Sequence, residues 1–481
     1  MSRRAAVRNA LIGVLLLPVT LYFIRSYSYP PEIADRPSPR EIVRKLIGSD
    51  DDDFSGEQGW FGSNWSGGEN SNQGGKSDED GSDVWVDLNT DLRTTTYDGG
   101  IPGYSIFSNL YLSSSTFLAV RPSIPLPGQK DIPPVRHIMS ASKSPKGGYP
   151  AAGEDVWRVI DGEEMARDEL GKTAILLKGV TYIFNDGPGG DGYLVYFRHF
   201  VLEAFLGATR VLSSKFPEKV LPKRIWFPRC GASPSWRDDR GENVWFLNHA
   251  LPSASIEDAS GFADRNTAGL PIILETAVIV DRWAAHSVGG EVGKWGKMNA
   301  DIPSALATID FFEPYRISAL KSLGVYQPTV ENLPVVIYVD RQRETPKVLD
   351  GDHARFLEAL KGLTGKAEIH VTRLSAMTKA QQVALVLIGL HGDEIMNAIW
   401  MKAAPGSTVI ELYEEDGFER DYQLMASTLF HTHIAIHNDH ILDEEGWRQL
   451  GSKRGPNAKG EIPVDGVFVA GVVERILDDL V

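Results

Sequence analysis

A possible binding site for phosphate lies where an apolar run of this 481-residue chain ends in a histidine and a glycine. Residues 387–390 predict a strand, His391 and Gly392 follow it, and a helix is predicted over residues 394–401. Gly392 permits a tight turn, and the N–H groups of a helix start bind phosphate oxygens, to which His391 would also donate. The alternative is a structural turn in which Asp393 caps the helix. These residues alone leave both interpretations open.

A glycine-rich run at residues 187–192 (GPGGDG) formally matches the dinucleotide pattern G-x-G-x-x-G. Pro188 lacks one of the N–H groups that a pyrophosphate needs, and the next predicted strand ends near Arg229 rather than at an acid. Only an NADP-dependent oxidoreductase would fit these features. We expect instead a flexible loop over a cleft.

Four histidines near the C-terminus could bind zinc, since imidazole is a common ligand of that metal. They are His431, His433, His437 and His440. Strand residues two apart are separated by about 6.6 Å, so bringing more than two of them to one ion requires a bent strand. Histidines at the rim of a ligand cleft are the simpler interpretation.

The segments that would position these residues alternate between strand and helix, which predicts an α/β fold. The predicted strands are Thr173–Phe184 (strand or hairpin), 224–227, Ile272–Val280, 334–340, 368–374, 387–390, Thr408–Tyr413 and 434–436. The predicted helices are 193–213, 352–363, 378–386, 394–401 and 420–429. The second half predicts a parallel sheet covered on both faces, with ligands at the carboxyl ends of its strands. Two prolines in residues 327–334 indicate a hinge, so we expect domains at 84–326 and 327–481.

Composition limits the possible partners. The formal charge of −15 and the lack of a basic run interleaved with aromatic residues exclude nucleic acid as an expected partner. A hydrophobic fraction of 42% is enough for buried cores. The single cysteine, Cys230, excludes an intramolecular disulfide, and its apolar neighbours predict a buried, unreactive thiol.

The N-terminus predicts a signal anchor. Residues 10–24 are uncharged and mostly apolar, and three arginines precede them, which favours a cytosolic N-terminus and type II topology. The run spans only about 22 Å, so a cleavable signal peptide is the alternative. No A-x-A-like cleavage site follows, whereas several tyrosines do, as at a membrane interface. We therefore expect a tail and anchor over residues 1–26.

Residues 27–83 predict a flexible acidic stem. Residues 49–83 hold ten acidic residues and one lysine, and so nine of the fifteen net negative charges. Such a segment buries too little apolar surface to offset the entropy of ordering. The run of four aspartates at residues 50–53 is better explained as solvated charge than as a metal site. Asn64 begins an N-x-S sequon and is a candidate for glycosylation.

Residues 377–397 and 405–411 resemble the signature of glycosyltransferase family 61, an H-G-A-G-L-T-N-like run followed by a P-P-G-S-x-V-I-E-like strand. The residues that match it are His391, Gly392, Asn397, Pro405, Gly406 and Glu411. The chain departs from it at residues 393–396 (DEIM), where the family has Ala, Gly, Leu and Thr. An acidic pair at this place would repel a diphosphate. The resemblance spans roughly residues 180–440 and is dense only over 377–411.

The resemblance also implies roles for single residues. His391, Gly392 and Asn397 would contact a nucleotide-sugar donor, and Glu411 is placed like the acid that binds ribose hydroxyls in such enzymes. Residues 336–343 resemble a basic family motif in which Arg341 would bind the donor diphosphate, with a surface ion pair as the alternative.

Residues 196–204 resemble a motif of the N-terminal domain of this family, in which a histidine and a glutamate lie four residues apart on one helix face. In this chain they are His199 and Glu203. A transferase needs a group that removes a proton from the attacking hydroxyl, so the two are candidates for a catalytic base and its orienting partner. Glu203 as the base itself, or a purely structural pair, are the alternatives.

Taken together, the resemblance implies two Rossmann-like domains of GT-B type with a cleft between them. It implies an inverting transfer, with no metal required although metal stimulation is possible, from a UDP-sugar to a glycan or glycoprotein. Xylose and N-acetylglucosamine are the favoured sugars, and the expected location is the lumenal side of the Golgi or endoplasmic reticulum membrane. The alternative is a catalytically inactive glycan-binding protein of the same fold.

Overall fold

The computed structural model describes residues 83–480 apart from 126, 145–147, 188–192, 219–220, 232–234, 325–332, 374–383 and 452–459. The predicted anchor, the glycosylation candidate Asn64 and all of the stem except its last residue lie outside this part of the chain. Most of the glycine-rich run, most of the hinge and residues 378–383 of one predicted helix lie outside it as well.

The N-terminal unit, residues 83–324, is built on one mixed sheet. Its strands are β1 (Val84–Asp87), β2 (Thr96–Ile101), β3 (Tyr104–Ser113), β4 (Thr116–Arg121), β5 (Trp157–Asp161), β6 (Thr173–Phe184), β7 (Arg224–Trp226), β8 (Ser255–Glu257) and β9 (Ile272–Val280). Their order is β5-β4-β3-β9-β6-β7-β8, with β1 paired to β6 and β2 paired to β3. The strands β9, β6, β7 and β8 run parallel to one another, whereas β3 is antiparallel to β9 and β1 is antiparallel to β6.

Helices surround this sheet. They are α1 (Glu163–Leu170), α2 (Leu206–Ser213), α3 (Glu242–Ala250), α4 (Ala259–Ala268), α5 (Arg282–His286), α6 (Gly290–Trp295) and α7 (Glu313–Ser322), with 3₁₀ segments at Val135–His137 and Ile302–Ser304. A π-helical segment, Arg198–Phe205, leads directly into α2. Such segments are rare and are frequently found at functional sites.

The C-terminal unit, residues 333–480, has a sheet of its own. Its strands are β10 (Val335–Val339), β11 (Lys347–Val348), β12 (Glu368–Thr372), β13 (Ala384–Leu390), β14 (Thr408–Tyr413), β15 (Thr432–His437), β16 (His440–Leu442) and β17 (Glu461–Ile462). Its helices are α8 (Asp350–Lys361), α9 (Asp421–Thr428), α10 (Glu444–Leu450) and α11 (Gly466–Asp478), with a 3₁₀ helix at Asp393–Trp400. The order β12-β10-β13-β14-β15-β16 is parallel except for the last pair, and β11 pairs separately with β17.

Alternate side chains of the C-terminal sheet enter two different cores, because successive residues of a strand point to opposite faces. Val336 and Tyr338 pack with α8 and α11. Val335, Ile337 and Val339 pack on the other side, in a core that includes α9 and also α2, α3 and α7 of the N-terminal unit. The two units therefore share one continuous apolar core.

The sequence-based assignments agree with the structure in the long apolar strands, and the α/β class is confirmed. The strands Thr173–Phe184, Ile272–Val280 and Thr408–Tyr413 have the predicted bounds, and the first is one bulged strand rather than a hairpin. Cys230 is buried as predicted, and burial raises its pKa to about 12.

Three helix predictions need correction. Residues 384–386 were predicted as the end of a helix but begin β13, because a short apolar run fits a buried strand equally well. The helix predicted over 394–401 is a 3₁₀ helix over Asp393–Trp400. The helix predicted over 193–213 begins later, at Arg198, with π geometry.

Close packing of α8 against α11 predicts opposite outcomes for two glycines of α11. A Cβ at Gly466 would lie 2.3 Å from Cα of Phe356, whereas a Cβ at Gly471 would meet nothing within 4 Å. We expect Gly466→Ala to lower the free energy of unfolding by about 1–3 kcal/mol through overpacking. Gly471→Ala is the matched control and should leave it unchanged or raise it by up to about 1 kcal/mol. Urea unfolding of the full-length chain measures both, and equal effects would contradict the packing.

Candidate functional site

In the C-terminal sheet, the direction in which strands are added reverses between β10 and β13. The chain runs from β10 to β12 on one side and then to β13 on the other side. In open α/β sheets the crevice at the carboxyl ends of such a strand pair is the usual ligand site. Arg341 follows β10, and His391 and Gly392 follow β13. The structure therefore brings together these three residues that the sequence singled out for donor binding.

Arg341 in this crevice already has a carboxylate partner. Its Nη1 lies 3.1 Å from Oε2 of Glu394, and the two side chains are only 4% and 1% exposed. Its Nη2 lies 3.5 Å from Glu344, which is exposed, whereas the buried Nε has no hydrogen-bond partner among the described residues. A Cβ at Gly392 would lie 2.7 Å from both Arg341 Nη1 and Glu394 Oε2, so only glycine leaves room for this ion pair.

His391 is held by a buried carboxylate on the next strand. Its Nδ1 pairs with Oε1 of Glu411, and the other oxygen of Glu411 lies 2.7 Å from Nε2 of His433. Burial lowers the pKa of His391, but Glu411 opposes this effect and the net shift is upward. Glu411 is fully buried with both oxygens engaged, so its place is behind His391 rather than at an exposed ribose subsite.

Asn397 lies on the 3₁₀ helix that follows Gly392. Its Nδ2 donates to the carbonyl of Glu394 at 2.9 Å, so it stabilises the turn that carries the buried carboxylate. Gly392 is the N-cap of this helix and Asp393 does not cap it, contrary to the structural alternative for that turn. Asp393 instead accepts from the hydroxyl of Tyr422 at 3.4 Å.

In the N-terminal unit, His199 and Glu203 are in contact on the π-helical segment. Nδ1 of His199 pairs with Oε1 of Glu203, and Oε2 of Glu203 accepts from Arg282 Nη2 at 2.9 Å and from the N–H of Met298 at 3.3 Å. Nε2 of His199 has no hydrogen-bond partner among the described residues, and its side chain is partly exposed. This geometry fits His199 as the base and Glu203 as its orienting partner.

The charges of this pair are set by burial and by Arg282. Burial lowers the pKa of His199 and outweighs the opposing effect of Glu203, so the imidazole is neutral at pH 7 and able to accept a proton. Burial alone would raise the pKa of Glu203, but Arg282 and then His199 lower it to about 2. The pair is therefore a neutral histidine beside an ionised carboxylate.

Sequence reasoning missed the residues at the carboxyl ends of β6 and β9, where the order of the N-terminal sheet also reverses. Asp186 follows β6, and Asp281 and Arg282 follow β9. Burial and the nearby Asp281 raise the pKa of Asp186 to about 8, so it is protonated at neutral pH. Asp281 accepts from Asn185 Nδ2 at 2.6 Å and caps α5. An acid within two residues of the end of each of these long apolar strands was the signal that could have found them.

Lys297 connects the two units at this place. Its Nζ lies 2.5 Å from Oδ1 of Asp421, which is 2% exposed at the start of α9, and its charge also helps to lower the pKa of Glu203. Nearby, Nε2 of His391 lies 3.8 Å from Oε2 of Glu419. Charged groups therefore extend from Glu203 in one unit to His391 in the other.

The four C-terminal histidines do not converge. His431 contacts Ser407 at 2.9 Å, His437 contacts the carbonyl of Gly417 at 2.9 Å, and exposed His440 lies beside Asp439. His433 alone of the four contacts the carboxylate that holds His391. Within the described ranges, no three His, Cys, Asp or Glu side chains are grouped as metal ligands would be.

No helix in the described part of the chain is long and apolar enough to cross a bilayer.

The contact between Lys297 and Asp421 predicts a strong, paired effect on stability. Lys297→Met leaves the buried Asp421 without its cation, so we expect a loss of about 3 kcal/mol in the free energy of unfolding. The double variant Lys297→Met/Asp421→Asn removes both charges and should recover most of that loss. Lys366→Met is the control, since Lys366 forms ion pairs on the surface and should change stability by less than about 1 kcal/mol. Urea unfolding measures all three, and a double variant no more stable than Lys297→Met would contradict the pairing.

Comparison of the chain with known protein families finds no family model that matches it. Comparison with curated proteins finds no match either. Its function must therefore be argued from the contacts and charges of its own residues.

Proposed function

We propose that this chain is a glycosyltransferase of GT-B type that moves a sugar from a UDP-sugar donor to a hydroxyl of a glycan or glycoprotein. The observation that carries the proposal is a neutral, oriented histidine in one unit, joined through Lys297 and Asp421 to the crevice of Arg341 and His391 in the other. A base on one side and anion-binding groups on the other are what transfer from a diphosphate leaving group requires.

The reaction would be a single displacement with inversion. Nε2 of His199 would take the proton of the acceptor hydroxyl as its oxygen forms a bond to the anomeric carbon of the donor. The bond from that carbon to the β-phosphate oxygen would break, and UDP would leave with the electron pair. The cationic groups Arg341 and His391 would stabilise the charge that develops on the diphosphate. Glu203 would hold the imidazole and stabilise its protonated form.

In this proposal the donor sugar is xylose or N-acetylglucosamine, and the transfer requires no metal although one could stimulate it. Residues 10–24 anchor the enzyme in the Golgi or endoplasmic reticulum membrane, and the stem holds the catalytic body on the lumenal side. These parts of the proposal rest on the sequence and on the family resemblance alone.

A specific observation favours a second candidate, an inactive glycan-binding protein of the same fold. The guanidinium that would bind the donor diphosphate is paired with Glu394, at a position where the family has glycine. Any diphosphate entering this crevice must compete with a buried carboxylate. UDP binding separates the two candidates.

Removing the carboxylate partner of Arg341 should strengthen UDP binding. We expect Glu394→Gln to tighten the Kd for UDP about tenfold, which is about 1.4 kcal/mol, because it removes a negative charge 3.1 Å from Nη1 of Arg341. Arg341→Ala should abolish binding. Glu344→Gln is the matched control, since this exposed partner lies 3.5 Å from the same guanidinium and should have a smaller effect.

Isothermal titration of the full-length chain with UDP measures these affinities, with GDP and NADPH as specificity controls. If neither the wild type nor Glu394→Gln binds UDP, transferase function is wrong and the glycan-binding candidate stands. Binding of NADPH alone would instead favour the oxidoreductase that residues 187–192 suggested.

The opposite pKa shifts of the two histidines predict a bell-shaped pH dependence of transfer. His199 must be neutral, and its lowered pKa places the acid limb below pH 6.5. His391 must be protonated to bind the donor diphosphate, and its raised pKa places the alkaline limb above pH 6.5. Measuring kcat/KM against pH tests this, and His391→Gln should lose the alkaline limb while it keeps the acid limb. An alkaline limb that persists in His391→Gln would show that another group titrates there.

A further inference from the structure

A group of partly exposed aromatic side chains borders His199. We define the aromatic platform as Tyr149, Tyr193, Tyr196 and Trp283, which come from three separate segments of the N-terminal unit. Tyr149 and Trp283 are stacked with ring centroids 3.7 Å apart and an interplanar angle of 4°. Tyr193 lies 6.2 Å from both Trp283 and Tyr196. The four rings therefore form one connected surface.

His199 lies against one side of this platform. The ring of Tyr193 is 5.2 Å from the imidazole at an angle of 74°, and the ring of Tyr196 is 6.1 Å from it at 79°. Both tyrosines thus meet the imidazole nearly at right angles. A ligand on the platform would lie beside the nitrogen that is available to accept a proton.

The platform is held in place by the same residues that hold Glu203. The guanidinium of Arg282 lies 5.0 Å from the ring centroid of Tyr193, a cation–π contact. Trp283 is the next residue in α5, whose N-cap is the buried Asp281. Tyr193 has a φ of 62°, a left-handed conformation that is uncommon and costs energy for a bulky residue. The fold therefore stabilises a strained tyrosine next to the proposed base.

On the side of His199, the charge around the platform suits a neutral ligand. At the other end of the platform, Nζ of Lys143 lies 6.0 Å from the ring centroid of Tyr149. Burial, followed by the nearby Arg282, lowers the pKa of His286 to about 4, and burial lowers that of His199, so both adjacent imidazoles are neutral at pH 7. The charge of Arg282 is balanced by Glu203. A ligand with an apolar face and hydroxyl groups therefore fits the side of the platform that borders His199.

We infer that the aromatic platform is a subsite for a neutral pyranose ring of the acceptor. The C–H face of the ring would stack on the side of Trp283 opposite Tyr149, and Tyr193, whose ring is inclined by 55° to that of Trp283, would contact the edge of the sugar. Rigid aromatic side chains offer large apolar contacts at low entropic cost. Hydroxyls at the ring edge would then reach the phenol groups and His199 Nε2. The placement of a hydroxyl at the base rests on the proposed function, whereas binding of the ring does not and would hold in an inactive glycan-binding protein as well.

Isothermal titration calorimetry of the full-length chain tests the inference. The ligands are mannotetraose, xylotetraose and chitotetraose. We expect at least one of these neutral saccharides to bind with a millimolar or lower Kd. Trp283→Ala should weaken that binding at least tenfold, and Trp283→Phe should restore part of it because a flat ring remains. Trp85→Ala is the matched control, since Trp85 is a 64% exposed tryptophan on β1 outside the platform, and it should bind like the wild type.

A second variant guards against misfolding. Tyr196→Ala removes a partly exposed ring of the platform and should also weaken saccharide binding. Thermal unfolding curves verify that each variant is folded. Absence of saccharide binding by the wild type, or equal binding by folded Trp283→Ala, would overturn the inference. Binding of a proline-rich peptide that depends on Trp283, without saccharide binding, would also overturn it and assign the platform to a protein partner.

UDP titration of the same preparations keeps this outcome separate from that of the proposed function. Saccharide binding without UDP binding supports the subsite and rejects the transferase. UDP binding without saccharide binding supports the donor site and rejects the subsite.

Discussion

Burial of charge between two sheets is the constraint on which the arrangement of this protein depends. Glu203 and Asp421 are buried carboxylates, and a buried carboxylate is costly unless a cation meets it. Arg282 meets Glu203, and Lys297 meets Asp421 while its charge also acts on Glu203. Two cations from the N-terminal unit therefore neutralise one carboxylate in each unit. The buried charges of the site are therefore balanced only when the two units are packed in this way.

Apolar packing and backbone contacts reinforce the same interface. Side chains of α9 belong to the core of the N-terminal unit as well as to that of their own sheet. Arg210 donates to the carbonyls of Ser427 and Thr428 at the end of α9, at 2.7 and 2.6 Å. A cation at this end of a helix satisfies carbonyls that have no partner within the helix. The helix that carries Asp421 is thus held at both ends by the N-terminal unit.

In both sheets, charged or titratable side chains follow the two strands between which the strand order reverses. In the N-terminal unit this edge bears Asp186, Asp281 and Arg282, and in the C-terminal unit it bears Arg341 and His391. The crevice in the C-terminal unit contains a buried carboxylate, Glu394, that competes with any anionic ligand. This feature distinguishes the two candidate functions, because a donor must displace Glu394 from Arg341 before a diphosphate can take its place.

The sequence by itself determined the α/β class, the bounds of the long apolar strands and the local pair of His199 and Glu203, since these depend on residues within one turn or one strand. It also placed His391 and Gly392 at a strand end, where the structure has them. It misassigned residues 384–386, because a short apolar run fits a helix and a strand equally well. It also missed Arg282, which lies 79 residues from Glu203 along the chain.

Only the tertiary structure decided which distant residues meet. Glu394 contacts Arg341 across 53 positions, and Asp421 contacts Lys297 across 124. These contacts follow from the order of strands in each sheet and from the packing of one unit on the other. Local periodicity carries no information about either, because it specifies the face that a residue occupies but not the element that covers this face.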